Sequence, residues 1–194
     1  MFATFINAWK IEELRKKIIF TLLMFAVFRL GAHIPVPGID REIVASMMQG
    51  NLFGMLDTFS GGSFKSFTIF AMGIMPYINA SIIMNLLTVI VPYFERLAKE
   101  GAEGRKKMAE YTRYGTVILG FLQAIAMSAY LRSALVNPSI GSMLVIALTI
   151  TAGTAFLMWL GELITEKGIG NGISLIIFAG IVSRLPSGLQ TIYA

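Results

Sequence analysis

The chain has 194 residues, with 16 Lys+Arg against 11 Asp+Glu, one His, no Cys, 56% hydrophobic residues and only 14% charged ones; its mean hydropathy is +0.73. Ordinary globular domains carry about 25% charged residues, and here the charges are bunched, leaving Ser66–Phe94 and Ser133–Gly161 as runs of 29 residues without one. About twenty apolar residues make a helix roughly 30 Å long, the thickness of a bilayer's hydrocarbon core. A soluble one-core domain, a disordered chain and a secreted disulfide scaffold are thereby excluded, and a multi-span membrane protein remains.

In chain order, residues 1–17 read as an amphipathic cytoplasmic segment ending in Arg15-Lys16-Lys17. No small-residue cleavage site follows, so the apolar run behind it is read as a first span rather than a signal. That span covers 18–36, is interrupted by Arg29, and ends in Ile34-Pro35-Val36-Pro37-Gly38, where two prolines enforce an extended turn. An external linker, 37–66, holds a short helix at about 52–60. Span two is expected at 67–92, a cytoplasmic basic loop at 93–113 and span three at 114–131. An external turn, 132–141, leads to span four at 142–163, a cytoplasmic loop at 164–172 and span five at 173–193. Counted by alternate sides, Lys and Arg number eleven with the N-terminus and three opposite it, which predicts a cytoplasmic N-terminus.

Catalytic chemistry finds little support. A single imidazole, His33, and no thiol cannot assemble a common zinc site, and His33 suits a headgroup region near the outer face. Glu162 and Glu166 read as a solvated helix end. Gly168-Ile-Gly170-Asn-Gly172 lacks the preceding strand and following basic residue of a nucleotide loop, and reads as a tight turn between helices. No catalytic residue, cofactor or metal is expected. Arg29, about eleven residues into its span and so roughly 17 Å deep, must either snorkel outward or face a wet or protein interior, because a mid-bilayer Arg costs about 2.5–3.5 kcal/mol.

The second span is the most informative. Gly73, Pro76, Asn79, Ser81, Asn85 and Thr88 interrupt an otherwise aliphatic helix, and Pro76 is expected to remove one of its backbone bonds. Ile74, Ile78, Ser81 and Asn85 fall on one stripe, which faces either a cavity or a partner helix. Between Gly50 and Gly62, residues Leu52, Met55, Leu56 and Phe59 form an apolar face about two turns long. It is too short to span and too apolar for water, so it lies in the interface or folds back into the protein.

Seven motifs then carry a resemblance. Phe70-Ala-Met-Gly-Ile-Met-Pro-Tyr-Ile-Asn-Ala-Ser-Ile-Ile is similar to the second span of the SecY family, the channel subunits of the Sec protein translocase. So are Ile34-Pro-Val-Pro-Gly38, Phe59-Ser-Gly-Gly62, the stretch from Lys99 to Lys107, Tyr111-Thr-Arg-Tyr-Gly115, Phe156-Leu-Met-Trp-Leu-Gly-Glu162 and Gly168–Ser174. They occur in the family's order, in bacterial wording, and cover nearly the whole chain.

The resemblance implies an all-α membrane protein of five transmembrane helices plus a short re-entrant plug helix, one inverted-repeat half of a ten-helix clamshell channel. It implies a pore ring of Ile74, Ile78, Ile173 and Ile177, a plug carrying Leu52, Phe53, Met55, Leu56 and Phe59, and a lateral-gate polar cluster with Asn79 and Gln123. The implied setting is the bacterial cytoplasmic (inner) membrane, crossed several times. The implied partners are the C-terminal half of the channel, SecE, SecG, the SecA motor ATPase or the ribosome, and secretory and membrane-protein substrates with signal sequences. Half of a secondary transporter, with broken helices around a small solute, and a non-conducting membrane scaffold stand as the alternatives.

Overall fold

The computed structural model describes residues 11–47, 60–64 and 66–183. The expected plug residues Leu52, Phe53, Met55, Leu56 and Phe59 lie outside the described residues, as do the first ten residues and the part of the fifth span beyond residue 183. Among the described residues there are seven α-helices, one 3-10 turn and no strand, only the isolated bridges Pro35↔Thr68 and Ile39↔Leu135.

Helix α1, Glu12–Gly31, runs from the end that carries the basic loop to the opposite end. Beyond it the two prolines act as expected. Pro35 and Pro37 have no N–H, and the Val36 amide between them donates to the Phe67 carbonyl (3.1 Å), while Ile69 N–H donates to the Ile34 carbonyl (3.0 Å). Gly38, at φ +82°, turns the chain so that Asp40 N–H reaches the Ala134 carbonyl and Val136 N–H reaches Gly38. These short clasps tie the connections together before helix α2, Arg41–Met47, begins.

The second apolar run does not begin as a helix. Residues 66–74 descend as consecutive turns, with Phe67 at φ +42° and Gly73 at φ +55°, and helix α3 covers only Met75–Ile90. Pro76 therefore stands in the first helical turn, where its missing N–H has no partner to lose, instead of breaking a helix from within. At the other end Val91 is extended (φ −105°, ψ 116°), as a residue before proline prefers. The chain then bends by 100° into helix α4, Pro92–Lys99. Most of the basic loop is thus helical, since helix α5 already starts at Ala102 and runs to Tyr130.

Helix α5 packs between α3 and helix α6, Ile140–Lys167. Its buried stripe is Thr112, Thr116, Gly120, Ala124 and Ser128, small side chains at every fourth position that let helices approach closely. Ser139 caps α6, its hydroxyl accepting from Ser142 N–H. Of the described helices α6 alone is long and apolar enough to cross a membrane unaided, and α3 with α4 passes that test only as a bent pair. Helix α7, Gly172–Val182, turns back along α6 so tightly that a Cβ on Gly172 would stand 2.0 Å from the Gly161 carbonyl oxygen.

Two apolar clusters hold the bundle. One gathers Val44, Phe64, Phe67, Leu131, Ile146 and Ile150 around the outer connections. The other gathers Phe28, Phe70, Ile74, Leu157, Ile164 and Ile176 between α1, α6 and α7. Phe70 stacks between Phe28 (6.1 Å) and Phe156 (6.0 Å). The outer faces expose large apolar residues in quantity, among them Leu22, Leu23, Leu86, Val89, Leu122 and Leu148. Water would penalise such a surface, and acyl chains would not.

Candidate functional site: an apolar cavity

The 60–74 segment, α3, α5 and α7 enclose a cavity of about 270 Å³. Ile74 is the residue preceding α3, and its carbonyl accepts from Ile78 N–H (3.1 Å), which places the two side chains one turn apart on one face. Both line the cavity, as does Ile177 from α7. Ile74 is 6% exposed and anchored in the second apolar cluster, whereas Ile78 and Ile177 are half-buried. Three of the four isoleucines expected in a ring therefore meet.

Ile173 does not line this space. Its Cδ1 occupies the notch left by Gly161, where a Cβ on that glycine would approach it to 2.4 Å. One turn separates Ile173 from Ile177, yet α6 takes the first side chain and the cavity takes the second.

Asn79 from α3 and Gln123 from α5 also border the cavity. Among the described residues no hydrogen bond joins their amides, so each is placed to accept or donate elsewhere. Ser60 supplies a further polar side chain, and the wall also includes Phe64, Met72 and Met127. Sequence reasoning missed these last three. Met127 was findable, lying one turn beyond Gln123 on α5; Phe64 and Met72 come from irregular backbone without a period to read.

Among the described residues no charged side chain lines the cavity. Charges gather at the end of the bundle that carries the basic loop. Arg113 Nε donates to Glu162 Oε1 at 2.8 Å, joining α5 to α6, so Glu162 is an inter-helix partner rather than a merely solvated end. On α4, a hydrogen bond from Lys99 holds the Glu95 carboxyl below the usual carboxylate range. The bond between the Tyr93 and Tyr111 hydroxyls raises the Tyr111 phenol.

Arg29 is exposed, yet its guanidinium is bonded to the protein. It stands in the last turn of α1, and its Nη1 donates to the Gly61 carbonyl and to Ser183 Oγ, each at 3.2 Å. His33 Nδ1 lies 2.7 Å from the Arg29 carbonyl. A carbonyl can only accept, so this ring nitrogen carries the proton.

Comparison with known proteins agrees with this architecture. A family model described as SecY matches residues 68–194. The protein translocase subunit SecY of Halalkalibacterium halodurans is 56% identical over 199 residues, covering all of this chain and 46% of that protein. The SecY subunit of Bacillus subtilis is 52% identical over 200 residues, again covering all of this chain and 46% of the relative. The chain thus spans a little under half the length of these relatives. Two solved structures share the fold at a TM-score of 0.67 and 23% identity, covering 88% of this chain and 36% of theirs. One is described as a protein conducting channel and the other as Sec61 in the canine ribosome-channel complex from the endoplasmic reticulum. On the match of residues 68–194 to its model, the chain belongs to the SecY family.

Proposed function

We propose that this chain forms the N-terminal half of a protein-conducting channel subunit, a passive conduit for secretion across the bacterial cytoplasmic membrane and for lateral insertion into it. The observation that carries the reading is the cavity walled by Ile74, Ile78 and Ile177. A path for polypeptide must pass every kind of side chain and hold none. Branched apolar side chains offer only non-directional contact, and a narrow apolar constriction dewets and so blocks ions at rest.

Ile173 belongs to this ring as a fourth member that would have to leave the Gly161 notch when the cavity widens. The 52–60 stretch is the plug that seals the ring at rest. Asn79 and Gln123 are the polar groups of a lateral gate, for which a hydrophobic signal sequence would compete. With the N-terminus in the cytoplasm, the complete channel would need the C-terminal half, SecE and SecG, and would draw its driving force from SecA or the ribosome. The fold of a structure described as a ribosome-channel complex supports the last of these. No chemistry is assigned to the chain itself. A small-solute transporter is disfavoured because its site needs convergent charges or ion ligands.

The test is cross-linking in the complete channel, which can use single cysteines because this half has none of its own. Cysteine at Ile74 or Ile177, paired with one in a stalled cargo chain, is expected to form a disulfide. Absence of a product at both, with reaction at the outward-facing Leu86 or Leu122 instead, rejects the reading.

A further inference from the structure

We infer that Arg29 is a positioning residue, a staple that holds the turn at Gly61 and the end of α7 together and so sets one wall of the apolar cavity. The inference goes beyond the channel reading and relies on it only for the purpose of the cavity.

Three observations meet at this point. Arg29 Nη1 donates both to the Gly61 carbonyl and to Ser183 Oγ at 3.2 Å, so one guanidinium spans α1, the 60–74 segment and the residue that caps the end of α7. Beneath it the two backbones touch, because a Cβ on Gly61 would come within 2.9 Å of Gly180 Cα. The Ser183 hydroxyl in turn donates to the Gly180 carbonyl at 2.7 Å, which leaves its lone pairs turned to Arg29. The residue next to Gly61 is Ser60, which borders the cavity together with Ile74 and Ile177. Moving the Gly61 turn therefore moves the cavity wall.

The chemistry suits a staple better than an ion pair. Among the described residues Arg29 makes no salt bridge. Its acceptors are a neutral carbonyl and a hydroxyl, and its position in the last turn of α1 sets the charge against that helix's negative end. Such bonds hold the turn without the desolvation cost of a buried carboxylate, so they can be released and remade. Both bonds leave one guanidinium nitrogen, Nη1, whose two N–H donors serve the two acceptors. Gly61 and Gly62, at φ +64° and +92°, give the turn the backbone freedom to rearrange once released.

The experiment uses the complete channel with its partner subunits in lipid vesicles and needs no transport. Ser60→Cys reports the wall through its labelling by a water-soluble maleimide added outside. Hydrogen exchange over 60–64 and 176–183 reports the two stapled segments. Arg29→Gln is expected to speed labelling and exchange in both segments by about tenfold, each segment losing one charge-assisted hydrogen bond. Arg29→Lys should fall between. Ser183→Ala, the milder variant, should loosen 176–183 and leave 60–64 slower than in Arg29→Gln. Unchanged labelling and exchange in Arg29→Gln overturn the inference, and so does a uniform rise that includes the Arg113–Glu162 contact, which would mean general unfolding. Failure of the Ile74 and Ile177 cross-links with these results intact would remove the channel reading and keep the staple.

Discussion

Gly153, halfway along α6, backs directly onto the Ile69 carbonyl: a Cβ at that glycine would stand 1.9 Å from the oxygen and 2.8 Å from the carbon. The contact seats the irregular 66–74 segment against α6 and fixes the height at which Ile74 enters the bundle. Because the neighbour is backbone, it cannot swing aside. Gly153→Ala is expected to destabilise the fold by about 1–3 kcal/mol, the usual cost of overpacking, read as a lower midpoint in thermal unfolding of the detergent-solubilised channel. Gly115 is the control, since a Cβ there meets Ala80 Cβ at an ordinary 3.6 Å. Gly115→Ala should gain about 0.5–1 kcal/mol from helix propensity. Equal effects of the two substitutions would remove the close-approach argument.

Thr154 is 2% exposed and its hydroxyl has no hydrogen-bond partner among the described residues, unlike Thr151, whose hydroxyl donates to the Ala147 carbonyl at 2.7 Å. An unpaired buried polar group is expensive, and a methyl fills the same space. Thr154→Val should therefore raise stability by about 1 kcal/mol, whereas Thr151→Val should not. A loss of stability in Thr154→Val would mean that the hydroxyl is satisfied in the assembled channel.

The Arg113–Glu162 pair joins α5 to α6 with side chains 49% and 25% exposed, so most of its attraction is screened. A double-mutant cycle with Arg113→Gln and Glu162→Gln is expected to return a coupling of about 0.2–1 kcal/mol. The coupling should fade as salt rises from about 0.1 to 1 M, where the screening length falls from roughly 10 to 3 Å. Salt-independent coupling would mean the pair lies in a drier setting.

Removing residues 52–60 from the complete channel should raise resting ion conductance in planar bilayers. Ile78→Asn should do the same by wetting the constriction, and the two changes together should exceed either alone. Unaltered conductance in both would count against a sealed apolar ring.

Much of the helix order was legible in the sequence because the charge-free windows are long and the loops between them polar. Of the cavity lining, Ile74 and Ile78 were legible because they sit one turn apart, whereas Asn79 and Gln123 came from the family resemblance alone. The entry to the second apolar run was not. Composition cannot tell an apolar turn from an apolar helix, and Gly73 and Pro76 read as interruptions when Pro76 in fact marks a helix start. The elbow at Val91 was hidden by the polar character of the loop beyond it, although the Val-Pro pair was its signal. Ile173 and Ile177 share a stripe by period alone, and only the depth of the Gly161 notch separates their surroundings. Arg29 could be seen to need a partner, but a carbonyl 32 residues away along the chain and a serine 154 away leave no pattern to read.

The right-angled elbow between α3 and α4 has a mechanical consequence. Leu97 of α4 is 3% exposed, and its carbonyl rests on Gly104 so closely that a Cβ there would stand 1.8 Å away. The short arm is thus bolted to the start of α5, and α3 cannot slide along its own axis like a piston without prying that joint apart. What the bolt leaves free at this end is pivoting about residue 91, and the Ile69–Gly153 contact holds the far end of α3 against such a tilt.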